Sequence, residues 1–187
     1  APSDDCIVFT RGTTEALNTV AFGLREYVGS GDPVVVTVME HHSNFVPWQQ
    51  LCAERGATFH VCDIDDEGNL KLDELAEHMK LHPKVVSVSC CSNVLGTLNP
   101  IERVCALAHE AGALAVLDGA QIMRHRVIDV QAIDCDFLAF SGHKMMAGTG
   151  IGVLYGKPEA LALLRPCQFG GDMVKKVGID ETPFGSA

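Results

Sequence analysis

Short apolar runs alternate with helical patterns along most of the chain, and this alternation limits the possible folds more than any other feature. Repeated alternation of strand and helix patterns is typical of α/β layered proteins. The apolar run at 34–38 further indicates a strand that is covered on both faces. We therefore expect an α/β fold with a mostly parallel sheet. The strand patterns lie at residues 6–10, 34–38, 57–61, 85–89, 113–117, 137–141 and 151–155, and the helical patterns at 13–28, 44–55, 72–79, 100–111 and 158–164, with Asn99 as the cap of the fourth helix.

Composition excludes several classes of protein. The 187 residues are enough for one domain with a sizeable core. A formal net charge of −10 argues against a protein that follows nucleic-acid phosphates. The sequence has no apolar run long enough to cross a bilayer and no N-terminal signal pattern. Its eight cysteines form no CxxC pair, so we expect reduced thiols in a cytosol-like compartment.

Polar clusters directly follow five of the predicted strands. In open α/β sheets, ligands bind outside the carboxyl ends of the strands, because the loops that carry binding residues meet there. Five clusters in such positions are expected to converge on one ligand. The clusters are residues 11–14, 40–42, 92–93, 118–121 and 141–144.

Two of these clusters carry residues that suit one particular cofactor. Lys144 follows an apolar strand through a small-residue turn, and burial there disfavours the ammonium form, which is what a Schiff-base lysine needs. Asp118 follows a second buried strand and supplies an acidic partner for a ring nitrogen. Together they indicate pyridoxal 5′-phosphate, although a surface lysine and a helix-capping aspartate would have the same local sequence.

Two further clusters have alternative explanations. Thr13 and Thr14 lie where a strand turns into a helix, and their hydroxyls and the free N–H groups there suit a phosphate. Helix capping alone would also explain them. His41 and His42 could suggest a metal site, but adjacent side chains point in different directions and no third ligand is evident. We therefore predict no metal.

Five motifs, in order along nearly the whole chain, closely resemble the SUF-type cysteine desulfurases. These enzymes belong to the class V aminotransferase group of fold-type I pyridoxal-phosphate enzymes. The resemblance implies the three-layer, seven-stranded large domain of that fold, with residues 1–187 as its central part and with the N-terminal segment and the C-terminal small domain absent. The motifs are Arg11-Gly12-Thr13-Thr14-Glu15, Met39-Glu40-His41-His42-Ser43-Asn44, Ser92-Asn93-Val94-Leu95-Gly96, Asp118-Gly119-Ala120-Gln121 and Ser141-Gly142-His143-Lys144.

The resemblance also implies a role for each candidate residue. Lys144 would bond the cofactor and move the Cα proton of the substrate, and Asp118 would pair with the pyridine nitrogen. His41 would stack on the ring and handle a substrate proton. The remaining expected contacts are Asn93 near the ring and the substrate carboxylate, Gln121 at the phenolic oxygen, and Thr13, Thr14, Ser141 and His143 at the phosphate.

The implied activity is removal of sulfur from L-cysteine, which leaves alanine and an enzyme persulfide for iron–sulfur cluster assembly. A homodimer and a sulfur-acceptor protein are the expected partners, with neither nucleic acid nor membrane. None of the eight cysteines occupies the position of the family's sulfur-accepting cysteine, so this polypeptide alone is expected to be weak or inactive. The alternatives are another class V enzyme, such as a selenocysteine lyase, epimerase, aminotransferase or kynureninase-like lyase, and a cofactor-binding fragment without turnover.

Overall fold

A computed structural model describes residues 1–170, 173 and 176–179 of the chain. Within these residues, one sheet of seven strands has the order β1-β7-β6-β5-β4-β2-β3. Only β7 runs against its neighbours β1 and β6, so the sheet is mostly parallel and the predicted fold class is confirmed. The strands are β1 Ile7–Thr10, β2 Pro33–Thr37, β3 Thr58–Cys62, β4 Val85–Ser89, β5 Leu114–Asp118, β6 Phe137–Ser141 and β7 Gly152–Gly156.

Helices cover both faces of the sheet and complete three layers. On one face α1, α2 and α6 pack on the strands, and on the other face α3, α4 and α5 do. The helices are α1 Thr13–Gly23, α2 His42–Arg55, α3 Leu72–Met79, α4 Ile101–Glu110, α5 Val130–Ile133 and α6 Pro158–Leu161.

The two faces of the sheet are separated by the alternation of side chains along each strand. In β2, Val34 and Val36 point toward the α1 layer and Val35 points toward the α4 layer, and all three are fully buried. Successive residues of a strand point to opposite faces, so a central strand buried on both sides is apolar at most of its positions. This requirement explains why the central strands could be found from sequence.

The predicted helix ends differ from the structure by two residues or more in three places. The helix predicted at 13–28 ends as α-helix at Gly23 and continues as a 3₁₀ turn over Leu24–Glu26. The helix predicted at 158–164 ends at Leu161. The helix predicted at 44–55 begins earlier, at His42, because the ring of His41 accepts a hydrogen bond from the Ser43 N–H and caps it.

The prediction that Asn99 caps the fourth helix is wrong. The helix begins at Ile101, and the Asn99 side chain instead donates a hydrogen bond of 2.7 Å to the carbonyl oxygen of Ser89. Asn99 is buried, so its amide serves to join the loop before α4 to the end of β4. A polar residue before a helical proline resembles a cap in sequence, and only its burial distinguishes the two roles.

All eight cysteines are free thiols, and six of them are buried. Burial raises the pKa of Cys52 to about 11 and that of Cys62 and Cys135 to about 12, so these thiols stay protonated at neutral pH. Cys91 is half-buried and Cys167 is exposed. In the part of the chain that the structure describes, no helix has the length and apolar character needed to cross a membrane.

Candidate functional site

The predicted polar clusters meet along one edge of the sheet, which we call the carboxyl edge and define by Thr10, Thr37, Ser89, Asp118 and Ser141. These residues end β1, β2, β4, β5 and β6, which all run in the same direction. The strand β7 runs the opposite way and begins at this edge, where Gly152 pairs with both Thr10 and Ser141. Topology therefore brings together segments that are far apart in the sequence.

Thr13 and Ser141 are joined directly at the carboxyl edge. The Thr13 N–H donates a hydrogen bond of 2.8 Å to Ser141 Oγ, and the two hydroxyl oxygens lie 2.7 Å apart. Close backbone approach makes this possible, because a Cβ on Gly152 would lie only 2.4 Å from the Cα of Gly12. The N–H of Thr13, expected to be free, is thus used by Ser141, and both side chains are buried.

An open cleft of about 630 Å³ lies over this junction. It is lined by Thr13, Thr14, Ser141 and His143, all four of which the family resemblance assigns to the phosphate. The cleft lies at the N-terminus of α1, where helical N–H groups and the helix dipole favour an anion. Thr14 and His143 are exposed to it, so hydroxyl and imidazole groups face the space that an anionic group would occupy.

Asp118 is the buried acid of the site. It exposes 5% of its surface and accepts one hydrogen bond, of 2.8 Å, from the Ala120 N–H to Oδ1. Burial raises the pKa of Asp118 above its ordinary value, while the Ala120 hydrogen bond and the positive charges of Lys144 and His41 act in the opposite direction. The predicted lysine, acid and histidine therefore lie within electrostatic range of one another.

Lys144 lies in a 3₁₀ turn, Gly142–Met145, that directly follows β6. The turn is held by the Gly142 N–H, which donates to the carbonyl oxygen of Ile151 at 2.9 Å. A Cβ on Gly142 would lie 2.9 Å from a methyl carbon of Ile151, so the tight turn requires the small residue before the lysine. Lys144 itself is half-buried, and its positive charge acts to lower the pKa of Asp118.

His41 caps α2 and is held in one orientation by that role. Its Nδ1 accepts a hydrogen bond of 3.1 Å from the Ser43 N–H, so the neutral ring carries its proton on Nε2. Its ring centroid lies 5.8 Å from that of His42. Among the described residues, no three histidine, cysteine or acidic side chains are grouped closely enough to hold a metal ion.

A buried polar network that the sequence analysis missed lies beneath His41. We call it the carboxyl-edge network and define it as Thr37, Glu40, Asn44, Trp48, Ser87 and Ser89. Glu40 receives three hydrogen bonds, and Asn44 Oδ1 accepts from Trp48 Nε1 at 3.1 Å and from Ser87 Oγ at 2.6 Å. Burial raises the pKa of Glu40 to about 7; hydrogen bonds from Thr37, Ser89 and Asn44 lower it and the charge of Asp118 raises it. The spacing Glu40, Asn44, Trp48 is the signal that could have revealed the network.

The last two predicted residues are placed differently. Asn93 is exposed and lines a cleft of about 340 Å³ together with Glu40 and His41, next to the expected ring position. Gln121 is half-buried three positions after Asp118, and within the described residues it forms no hydrogen bond or ion pair with the other candidates. The roles of both residues stay predictions.

The arrangement fits pyridoxal 5′-phosphate. A helix N-terminus with hydroxyls suits the phosphate, Asp118 retains hydrogen-bonding capacity for a protonated ring nitrogen, and Lys144 supplies an amine nearby. The residues that would hold the cofactor come from five separate segments of the chain.

Comparison with known proteins agrees with this interpretation. The Aminotransferase class-V family model matches residues 1–187. A probable cysteine desulfurase of Halalkalibacterium halodurans is 47% identical over 98% of this chain and 46% of its own length. A cysteine desulfurase of Synechococcus elongatus is 48% identical over 98% of this chain and 30% of its own. The chain thus spans less than half the length of these curated relatives.

Solved structures show the same similarity. The cysteine desulfurase CsdA of Escherichia coli, in its S-sulfonic acid form, superimposes with a TM-score of 0.94 at 41% identity. It is matched over 100% of this chain and 47% of its own. An apo cysteine desulfurase of Thermococcus onnurineus gives a TM-score of 0.91 at 40% identity, over 97% of this chain and 45% of its own.

Proposed function

The chain belongs to the class-V aminotransferase family, and from this premise we propose that it is the cofactor-binding part of a pyridoxal-phosphate-dependent cysteine desulfurase. The family uses pyridoxal 5′-phosphate. The observation that carries the proposal is the meeting of Lys144, Asp118 and His41 at the carboxyl edge. The identity of nearly half to cysteine desulfurases over almost the whole chain supports it.

When bound, the cofactor withdraws electrons from the substrate Cα and makes the proton on that carbon acidic. Asp118 holds a proton at the ring nitrogen, because a carboxylate in a buried setting pairs strongly with a cation. Lys144 would hold the cofactor through its amine, and the same amine would remove the proton from the substrate Cα. Both roles require the short distance between strand ends that the parallel sheet provides.

The remaining candidate residues bind and orient the cofactor and the substrate. Thr13, Thr14, Ser141 and His143 hold the phosphate at the N-terminus of α1. His41 keeps the ring in place and carries a proton on Nε2, the nitrogen that does not cap α2. Asn93 and Gln121 bind the substrate carboxylate and the phenolic oxygen, respectively.

The net reaction transfers sulfur from L-cysteine to a thiol. The C–S bond of the substrate breaks, and its sulfur forms an S–S bond with the acceptor thiol. The electron pair of the broken bond stays on the substrate Cβ, which takes up the proton that the acceptor thiol loses and so becomes the methyl group of alanine. Six of the chain's cysteines are buried and unsuited to this attack, and the family resemblance places neither Cys91 nor Cys167 at the sulfur-accepting position. We expect the acceptor thiol to lie outside residues 1–187, so the chain alone is weak or inactive. We further propose that an acceptor protein delivers the sulfur to iron–sulfur cluster assembly. The complete enzyme is proposed to be a homodimer in a reducing, cytoplasmic compartment.

Reductive trapping tests the cofactor assignment. Incubation with pyridoxal 5′-phosphate should give a visible absorption band, and borohydride followed by peptide mapping should place a pyridoxyl group on Lys144. Lys144→Ala should abolish both signals, whereas Lys80→Ala, which removes an exposed lysine paired with Glu77, should leave them unchanged. A pyridoxyl group on another lysine, or none, would refute the assignment.

A further inference from the structure

Glu40 is a buried carboxyl group held by three different elements. Thr37 Oγ1, at the end of β2, donates to Glu40 Oε1 at 2.6 Å, and the Ser89 N–H, at the end of β4, donates to the same oxygen at 2.9 Å. Asn44, in the first turns of α2, donates to Oε2 at 2.6 Å. Each oxygen therefore has a defined donor, and exchanging a carboxylate for an amide would set an NH₂ group against at least one of them.

A carboxyl group is costly in this place. Glu40 exposes only 9% of its surface, and the buried Asp118 carboxyl lies within electrostatic range of it. The thiol of Cys90, which directly follows β4, also interacts with it. Burying charge without need destabilises a fold, and apolar residues would join these three elements at least as well. A carboxyl retained here indicates a function beyond packing.

The position of Glu40 relative to His41 identifies that function. Four residues, 38–41, connect β2 to α2, and Glu40 is the one that ties this connection to β4. His41 follows it directly, and the His41 carbonyl oxygen accepts from the Asn44 N–H at 2.7 Å. Asn44 thus contacts Glu40 through its side chain and His41 through its backbone.

We propose that Glu40 is a positioning residue of the cofactor site, which fixes the β2–α2 connection so that the His41 ring is held in place at the carboxyl edge. The proposal rests on the function proposed above, because it assigns Glu40 to the same site. Glu40 acts through His41 and does not itself contact the cofactor. Asn44 and Thr37 act with it, as the donors that fix its two oxygens.

Glu40→Gln is the direct test, since it preserves shape and removes one acceptor. In the protein without added cofactor, imidazole ¹H–¹⁵N spectra, assigned with His41→Gln, report which His41 nitrogen carries the proton. We expect the wild-type pattern, with the proton on Nε2, to change to a mixture of tautomers. Affinity for pyridoxal 5′-phosphate, measured by the visible band, should fall about tenfold.

Two further variants separate positioning from simple destabilisation. Asp136→Asn makes the same chemical change in a similarly buried acid at the opposite edge of the sheet, so it should lower stability yet leave the His41 spectrum and the cofactor affinity unchanged. Thr37→Val removes one donor to Glu40 and should shift both readouts in the direction of Glu40→Gln, by less. It also serves as the test if Glu40→Gln fails to fold.

The outcomes distinguish this proposal from the proposed function. A changed His41 spectrum with no cofactor binding in any variant supports the positioning role and refutes the cofactor assignment. Normal cofactor binding with an unchanged His41 spectrum in Glu40→Gln and Thr37→Val overturns the positioning role alone. A loss of stability in Glu40→Gln with unaltered His41 signals likewise overturns it, because packing alone would produce that result.

Discussion

Two buried aspartates, Asp118 and Asp136, lie at opposite edges of the same sheet and have very different surroundings. Asp136 precedes β6, and its oxygens contact the Ala115 N–H at 2.7 Å, His109 Nε2 at 2.9 Å and Lys157 Nζ at 3.2 Å. Asp118 ends β5 and accepts a single hydrogen bond, from the Ala120 N–H. The two expose 6% and 5% of their surface, so burial alone does not distinguish them.

The difference teaches how to recognise an acid that is kept for a ligand. Asp136 has three partners, two of them basic side chains, which satisfy a buried charge within the protein. Burial raises the pKa of Asp118 and its few partners do not compensate, so its charge costs stability until a cation arrives. The number of partners, rather than the depth of burial, separates the structural acid from the functional one.

The largest expected effect comes from removing Asp136. Asp136→Ala leaves the Ala115 N–H without its acceptor and leaves Lys157 and His109 with only the exposed Asp134 as an acidic partner. Breaking a buried pair in this way costs about 3 kcal/mol of unfolding free energy. Urea denaturation measures the loss, and the cofactor band of the folded fraction should stay as in the wild type. An altered band would contradict the assignment of a structural role to Asp136 and a functional role to Asp118.

Asp118→Asn should have the opposite effect, namely a loss of activity without a loss of stability. We expect cofactor-dependent activity of the complete enzyme to fall about 100-fold, because the charge that stabilises the ring cation is lost. The raised pKa means that the folded state binds this proton more tightly than the unfolded state does. Wild-type stability therefore declines as the pH rises above the ordinary aspartate pKa, and the variant should lack this decline. Urea denaturation curves of both proteins, recorded at a series of pH values from about 4 upward, measure this difference. A large loss of stability in Asp118→Asn would contradict the distinction between the two aspartates.

The smallest effect concerns shape at the carboxyl edge, without any change of charge. Gly152→Ala places a Cβ 2.4 Å from the Gly12 Cα, and relief of this overlap should cost about 2 kcal/mol and weaken the Thr13–Ser141 contact. Gly148→Ala is the matched control, because a Cβ there meets nothing within 4 Å. Thermal unfolding compares the two variants, and equal midpoints would show that the close approach does not matter.

Much of the fold could be predicted because local patterns determine it. The β4 and β6 boundaries matched the structure, since β-branched and apolar runs bounded by polar residues fix a doubly covered strand. Asp118 and Lys144 could be placed near each other because strand polarity dictates which loops meet.

Other features depend on tertiary contacts that no local pattern encodes. Glu40 was passed over because a carboxyl next to two histidines looks solvent-exposed until its three donors, from three elements, are known. Asn99 was misassigned for a similar reason, since its partner, Ser89, belongs to another element. The position of β7 between β1 and β6 also has no signature in the sequence.

That position of β7 has a consequence for how the chain folds during synthesis. The strand β1 pairs only with β7 among the described residues, with Ile7 opposite Tyr155. The strand β1 therefore leaves the ribosome well before β7 and must wait for it before it can pair. Closing so long a loop is slow and leaves an unpaired edge open to aggregation. Chaperone dependence of the nascent chain should thus fall sharply once β7 has emerged.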